Sequence, residues 1–178
     1  MIYRASAILL EQALRLRSLI GAPDGLRQRL AQDAPCRADI WVHGASVGEL
    51  TSARPVIAAL ARTHRVLVTA NSTTGRDMAA AWGMEARLAP LDLPGTLTRF
   101  LDQVRPRLQV TVEGEFWPLR SQALADRGIP QAMIGARLSQ RSAARWARLP
   151  GIIAPMLGRL AGLSAQDPDS EARLLALG

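Results

Sequence analysis

The chain has no lysine, a single cysteine, two histidines and few aromatics, 4% of its 178 residues, and each shortage excludes something. With only Cys36, no intramolecular disulfide can form and the composition fits a reducing compartment. Two histidines and scattered acids do not make a metal-ligand cluster, so no metal is expected. So little aromatic side chain argues against a nucleic-acid-binding domain, in which exposed rings would interleave with the basic residues. Long apolar runs are missing as well: near the N-terminus the longest uncharged stretch, between Arg4 and Glu11, is six residues, against the ~20 that span a bilayer. It is also short for a secretory core and lacks a cleavage site.

What is present is one domain's worth of chain, 48% hydrophobic, with all 22 basic residues arginine and a net charge of +7. The absent lysine reflects codon usage rather than chemistry. Such a balance favours an anionic partner, whether nucleic acid, membrane surface or phosphorylated substrate. Residues 2–20 form an amphipathic helix, with Ile8, Leu9, Leu10, Leu14, Leu16 and Leu19 among Arg4, Arg15 and Arg17. It can pack on its own domain, the commoner fate, or lie in a membrane interface.

From Asp39 onward a beat repeats: a short apolar β-like run, a loop, then a helical pattern. The runs are Ile40 to His43, Val66 to Ala70, Ala86 to Leu88, Leu108 to Val112, Ala132 to Ile134 and Leu163 to Ala165. Glu49 to Thr63 presents Leu50, Val56, Ile57 and Leu60 on one helix face. Pro94 to Val104 opens with Asp92 as N-cap. A helix from Trp117 ends at Gly128, Ser139 caps one running to Arg148, Ile152 to Leu160 resumes the pattern, and a last helix follows Pro168. This predicts an open, doubly wound parallel α/β sheet, Rossmann-like, with residues 1–34 as a helical segment of the same domain and 35–178 as its α/β body.

In such folds chemistry collects at the carboxyl ends of the strands. After the first strand stands His43-Gly44-Ala45-Ser46-Val47-Gly48-Glu49, whose glycines permit a tight turn and close approach of a ligand. Glu49 serves there either as a favourable first-turn carboxylate or in chemistry, and His43 reads as a satisfied buried histidine or a catalyst. Neither a dinucleotide fingerprint nor a P-loop is present, and no cofactor is expected. After the fourth strand comes Glu113-Gly114-Glu115-Phe116-Trp117-Pro118, two carboxylates that are solvated, paired or used. After the fifth comes Gly135-Ala136-Arg137-Leu138-Ser139-Gln140-Arg141-Ser142, inside a stretch from Asp126 to Asp167 that holds no other acid. There Arg141, Arg145 and Arg148 share one helix face, either a solvated face or a phosphate grip.

Taken in order, Trp41 to Glu49, Asn71-Ser72-Thr73-Thr74-Gly75, Asp92-Leu93-Pro94, Glu113 to Pro118 and Ala136 to Ser142 resemble the amino-terminal domain of bacterial 3-deoxy-D-manno-octulosonic acid (Kdo) transferases. The resemblance runs over essentially the whole chain. It departs from the usual pattern at Gly114 (often Thr), Leu119 (often Asn), Gly135 (often Asn) and Thr73 (often Pro). What it implies is the acceptor half of a two-domain GT-B glycosyltransferase that moves Kdo from CMP-Kdo to the lipid A precursor in lipopolysaccharide biosynthesis, at the cytoplasmic face of the inner membrane, peripherally or by an N-terminal anchor. The donor domain is absent from the chain, so the isolated chain is expected to be inactive. By resemblance the general base falls on Glu49, further catalytic carboxylates on Glu113 and Glu115, and the family's arginine on Arg137; substrate contacts are assigned to Ser46, Gly48, Arg137, Ser139, Arg141 and Arg145. The other classes kept open are a sugar-nucleotide or membrane-surface binding module without turnover and, less favoured, a basic nucleic-acid-binding domain.

Overall fold

Six short apolar runs, each followed by a helix-forming stretch, can bury both faces of a sheet only if the helices cross over it, which makes the strands parallel. The computed structural model describes residues 2–20, 25–33 and 37–178, with backbone alone at 2–5 and 19; Cys36 lies outside the described residues. Strands β1 (Ile40–His43), β2 (Val66–Ala70), β3 (Glu85–Leu88), β4 (Leu108–Val112), β5 (Gln131–Ala136) and β6 (Leu160–Ala165) form one all-parallel sheet in the order β3-β2-β1-β4-β5-β6. The winding reverses between β1 and β4, and a crevice at the carboxyl ends of those two strands is the geometric result.

Helices α1 (Ile2–Leu19), α2 (Leu26–Arg29), α3 (Val47–Ala61), α4 (Thr73–Ala81), α5 (Pro94–Val104), α6 (Pro118–Ala125), α7 (Gln140–Trp146), α8 (Pro150–Leu157) and α9 (Pro168–Leu175) complete the chain. One face of the sheet is aliphatic: Ile40, Val42, Val68, Val110 and Val112 pack with Leu50, Ala53 and Ile57 of α3. On the other, Trp41 and Leu67 meet Phe100, Leu101 and Val104 of α5 and Leu124 of α6. That second face also buries His43, Thr69, Gln109, Thr111 and Gln131, all polar.

Several sequence expectations need correction. Val56 is exposed, and Ala53 takes its place in the core of α3. A helix absent from the sequence reading, α4, follows β2, capped by Ser72, whose hydroxyl accepts from Gly75 N at 3.1 Å. Asp92 does not cap α5: its carboxylate accepts from Leu119 N (3.1 Å) and Arg120 N (2.6 Å) and so caps α6. The start of α5 is capped from far away, by the buried Glu11 of α1, which accepts from Gly95 N (2.8 Å), Thr96 Oγ1 (3.1 Å) and Arg99 Nη2 (3.0 Å). The resumed pattern after Pro150 ends at Leu157, and Leu160 already belongs to β6. Arg148 falls beyond the end of α7, off the helix face it was expected to share.

Helix α1 packs through Ala7, Glu11, Leu14 and Ser18, while Leu9, Leu16 and Ile20 point outward with relative exposures of 74%, 62% and 86%. Its packed face is the more polar one. Of the two fates read from the sequence, packing on its own domain is the one observed, and the helix still presents apolar side chains to the outside.

Candidate active site at the reversal of the sheet

The loop leaving β1 passes Gly44, where a Cβ would lie 2.8 Å from Leu50 Cδ2 and would push that core side chain aside. A Cβ at Gly48 would meet only Ser46 Oγ at 3.8 Å, and that position is open. Ser46 caps α3 by accepting from Glu49 N at 3.2 Å, and the Glu49 carboxylate folds back to accept from Ala45 N (2.6 Å) and Ser46 Oγ (3.2 Å). This is a capping box whose return bond lands one residue early. Glu49 is half-buried, and burial raises its pKa, with the negative charges of Glu113 and Glu115 adding to the rise and the Ala45 N–H opposing it.

Glu115 has the opposite fate. Its Oε2 accepts from Trp117 Nε1 (2.6 Å), Asn71 Nδ2 (3.0 Å) and His43 Nε2 (3.4 Å). Burial opposes its charge, but the hydrogen bonds from His43, Trp117 and Asn71 prevail and hold its pKa down to about 2. His43 is completely buried, and its Nδ1 lies 3.0 Å from Thr69 Oγ1, which also accepts from Trp41 Nε1 at 2.8 Å. Burial, assisted by the positive charge of Arg120, pulls the His43 pKa from 6.5 to about 4, against the influence of Glu115. The neutral ring then has one consistent arrangement: Trp41 donates to Thr69, the Thr69 hydroxyl donates to Nδ1, and Nε2–H donates to the ionised Glu115.

Arg120, also buried, stacks between Trp41 and Trp117, its guanidinium carbon 5.1 and 5.4 Å from their ring centres. Burial lowers its pKa to about 10, with Asp92 and Glu115 opposing, so it remains a cation at neutral pH. Of the residues gathered here, Thr69 and Arg120 stand outside the blocks that the sequence singled out, whereas Asn71, Asp92 and Trp117 lie within those blocks but were given no role at this site. A signal existed for Thr69: His43, Thr69 and Thr111 stand opposite one another in register, polar positions near the carboxyl ends of β1, β2 and β4.

Glu113 leaves β4 in the left-handed region, φ 61°, while its N–H still bonds to Ile134 O at 2.9 Å. That conformation is costly for a residue with a Cβ and re-aims the chain at the crevice. Gly114 follows with its Cα against the next loop, where a Cβ would lie 2.6 Å from the Arg137 carbonyl oxygen. The carboxylate turn and the arginine loop are therefore in direct contact. Arg137, Arg141, Arg145 and Arg148 are all exposed, and none makes an ion pair among the described residues. Ser139 caps α7, accepting from Ser142 N at 3.2 Å. A hollow of about 320 Å³ is lined by Ser142, Arg145, Trp146 and Leu149. The structure thus gathers Glu49, Glu113 and Glu115 at the crevice, sets Ser46 and Gly48 at its rim, and leaves Arg141 and Arg145 displayed along α7. Among the described residues, no three His, Cys, Asp or Glu converge to hold a metal ion.

Comparison with known proteins bears on this site. The family model described as 3-deoxy-D-manno-octulosonic-acid transferase (kdotransferase) matches residues 24–178. The 3-deoxy-D-manno-octulosonic acid transferase of Haemophilus influenzae is 32% identical over 166 residues, 85% of this chain and 39% of that protein. That of Bordetella pertussis is 34% identical over 154 residues, 82% of this chain and 36% of the relative. The chain therefore spans less than half the length of these relatives. Among solved structures, the UDP-GlcNAc 2-epimerase from Neisseria meningitidis bound to UDP-GlcNAc matches 77% of this chain and 43% of its own, at 18% identity and a TM-score of 0.55, a likeness of fold alone.

Proposed function

The chain belongs to the 3-deoxy-D-manno-octulosonic-acid transferase family, whose amino-terminal domain it represents, and we propose that it is the acceptor-side half of an enzyme transferring Kdo from CMP-Kdo to the lipid A precursor. The observation that carries the site assignment is the divergence of two carboxylates at one crevice, Glu49 raised and Glu115 lowered, which is how a base and a fixed anion are told apart. In the reaction, Glu49 takes the proton of the attacking acceptor hydroxyl as that oxygen bonds to the anomeric carbon of Kdo. The bond from that carbon to the CMP phosphate breaks with inversion, and CMP leaves. Burial makes Glu49 basic, and the negative charges of Glu113 and Glu115 add to it. Ser46 and Gly48 border the acceptor hydroxyl. Arg137, Ser139, Arg141 and Arg145 take the acceptor's phosphates, for which guanidinium forks are suited. A second domain of the same enzyme brings the donor and closes the crevice, so the chain by itself binds without turnover.

The place of action proposed is the cytoplasmic face of the bacterial inner membrane. No helix among the described residues is long and apolar enough to cross a membrane, and the outward apolar face of α1 supports peripheral attachment. Residues 1–34 belong to the same domain on this reading, supported by the Glu11 bonds to α5. The test is Glu49→Gln in the two-domain enzyme. It should lower kcat by about 10²- to 10⁴-fold with the fold intact. Near-normal turnover there, with large losses in Glu113→Gln or Glu115→Gln, would move the base to the second carboxylate site; binding without product even in the two-domain enzyme would reduce the chain to a binding module.

A further inference from the structure

Glu115 is a fixed charge at the crevice, and the three donors that hold it differ in how firmly they are themselves held. Of the three donors on Glu115, Trp117 sits two residues away on the same turn, and Asn71 stands, half-buried, on the two-residue connection between β2 and α4. The third comes from the floor of the sheet. His43 has no exposed surface, its ring orientation is set by Thr69, and Thr69 in turn is held by the indole of the equally buried Trp41. A chain of three wholly buried side chains, rooted in the aromatic core, thus ends on one oxygen of a carboxylate at the crevice.

We propose that His43 is a positioning residue, whose rigidly held neutral imidazole donates from Nε2 to Glu115 and keeps that carboxylate ionised and fixed in the crevice facing Glu49. Every charged group around Glu115 is consistent with this. From α6, Arg120 adds a positive charge that favours the Glu115 anion and disfavours a second proton on His43. Asp92, after β3, shares that charge. From α3 comes Glu49, and from the same turn Glu113, both acids that would draw a proton onto Glu115 if the donors were lost. The neutral ring has one N–H for one anion, so the hydrogen bond cannot be redirected without breaking the Thr69 link. Only the last step, from a fixed Glu115 to the strength of Glu49 as base, rests on the function proposed above.

The proposal is tested on this chain without donor or acceptor, so its outcome is separable from that of the transfer assay. Nitrogen-15 shifts of His43 should report the neutral Nε2–H form at pH 7, and side-chain carboxyl carbon shifts should show Glu115 unprotonated until well below the ordinary glutamate range. In His43→Phe the Glu115 midpoint should rise by at least about one pH unit, a tenfold gain in proton affinity, and the Glu49 midpoint should fall as the two titrate together. In His43→Gln, whose amide reaches as far as Nε2, the Glu115 midpoint should return most of the way. Should His43→Phe fail to fold, Thr69→Val serves instead: freeing Nδ1 should mix the ring tautomers and raise the Glu115 midpoint by a smaller amount. A Glu115 midpoint unmoved in the folded variants, or a wild-type His43 that protonates near pH 6.5 or carries its proton on Nδ1, overturns the proposal.

Discussion

At the scale of single residues, the same physical agent, burial, acts on four neighbouring groups and has a different result in each. Glu49 keeps two donors, the Ala45 N–H and the Ser46 hydroxyl, against burial and two acid neighbours, so burial wins and its pKa rises; Glu115 keeps three donors, so burial loses. His43 and Arg120 are both cations when protonated, and the first gives up its charge to burial while the second cannot. Acid stability follows from the sign. An unfolded His43 binds its proton near 6.5 and the folded one only near 4, so the unfolded state takes up more protons in between and stability falls as pH drops through that window. Between pH 7 and pH 5 the loss from this residue should be about 2 kcal/mol in urea unfolding, and His43→Gln should abolish it. Glu115, with its pKa held down from 4.5 to about 2, adds a second loss that begins only below that higher value. Unfolding free energies equal at the two pH values in the wild type would contradict the assignment of a neutral buried imidazole.

At the scale of elements, what decides legibility is how far away the partner lies. The strands could be read because short apolar runs are local, and Ser139 could be read as a cap because it accepts from a backbone N–H three residues on, as Ser46 and Asp167 also do. Asp92 and Glu11 could not. Asp92 stands one residue ahead of Leu93, the N-cap position of α5, and its carboxylate reaches across to α6, while the start of α5 is served by Glu11 from α1. Helix α4 was missed for a related reason: it buries only Gly75 and Ala79, too little apolar surface to print a stripe in the sequence. Arg120 was missed because its burial needs Trp41 of β1 as well as the neighbouring Trp117, and the first of these lies far off in the chain. The cap exchange makes a prediction that local reasoning would reverse. Asp92→Ala should cost about 2 kcal/mol and remove amide-exchange protection from the first turn of α6 while α5 keeps its own; Glu11→Ala should expose the first turn of α5 instead. Loss at α5 in the Asp92 variant would return that cap to its neighbouring helix.

At the scale of the whole molecule, the described surface carries an outward apolar stripe on α1 and, in the α7 region, exposed arginines that form no ion pair among the described residues. They differ in what they can recognise, and vesicles separate them. Replacing Leu9, Leu16 and Ile20 by Gln should weaken binding to neutral and anionic vesicles alike, by at least about tenfold, because it removes apolar area. Replacing Arg141, Arg145 and Arg148 by Gln should weaken binding to anionic vesicles only, by roughly 1 kcal/mol per charge that lies near the surface, and less at high salt. Unchanged binding in both variants would make these faces ordinary solvated surface. The Glu11 anchorage gives the first of these features a further meaning. A helix tethered by a flexible linker would leave the domain tumbling above a bilayer, whereas α1 is bonded through a buried carboxylate to α5, which packs on the sheet that frames the crevice. With α1 seated on a lipid surface, the height and heading of the crevice above that surface would be set by the protein itself, and its encounters with a lipid-borne acceptor would become a search in two dimensions at fixed orientation.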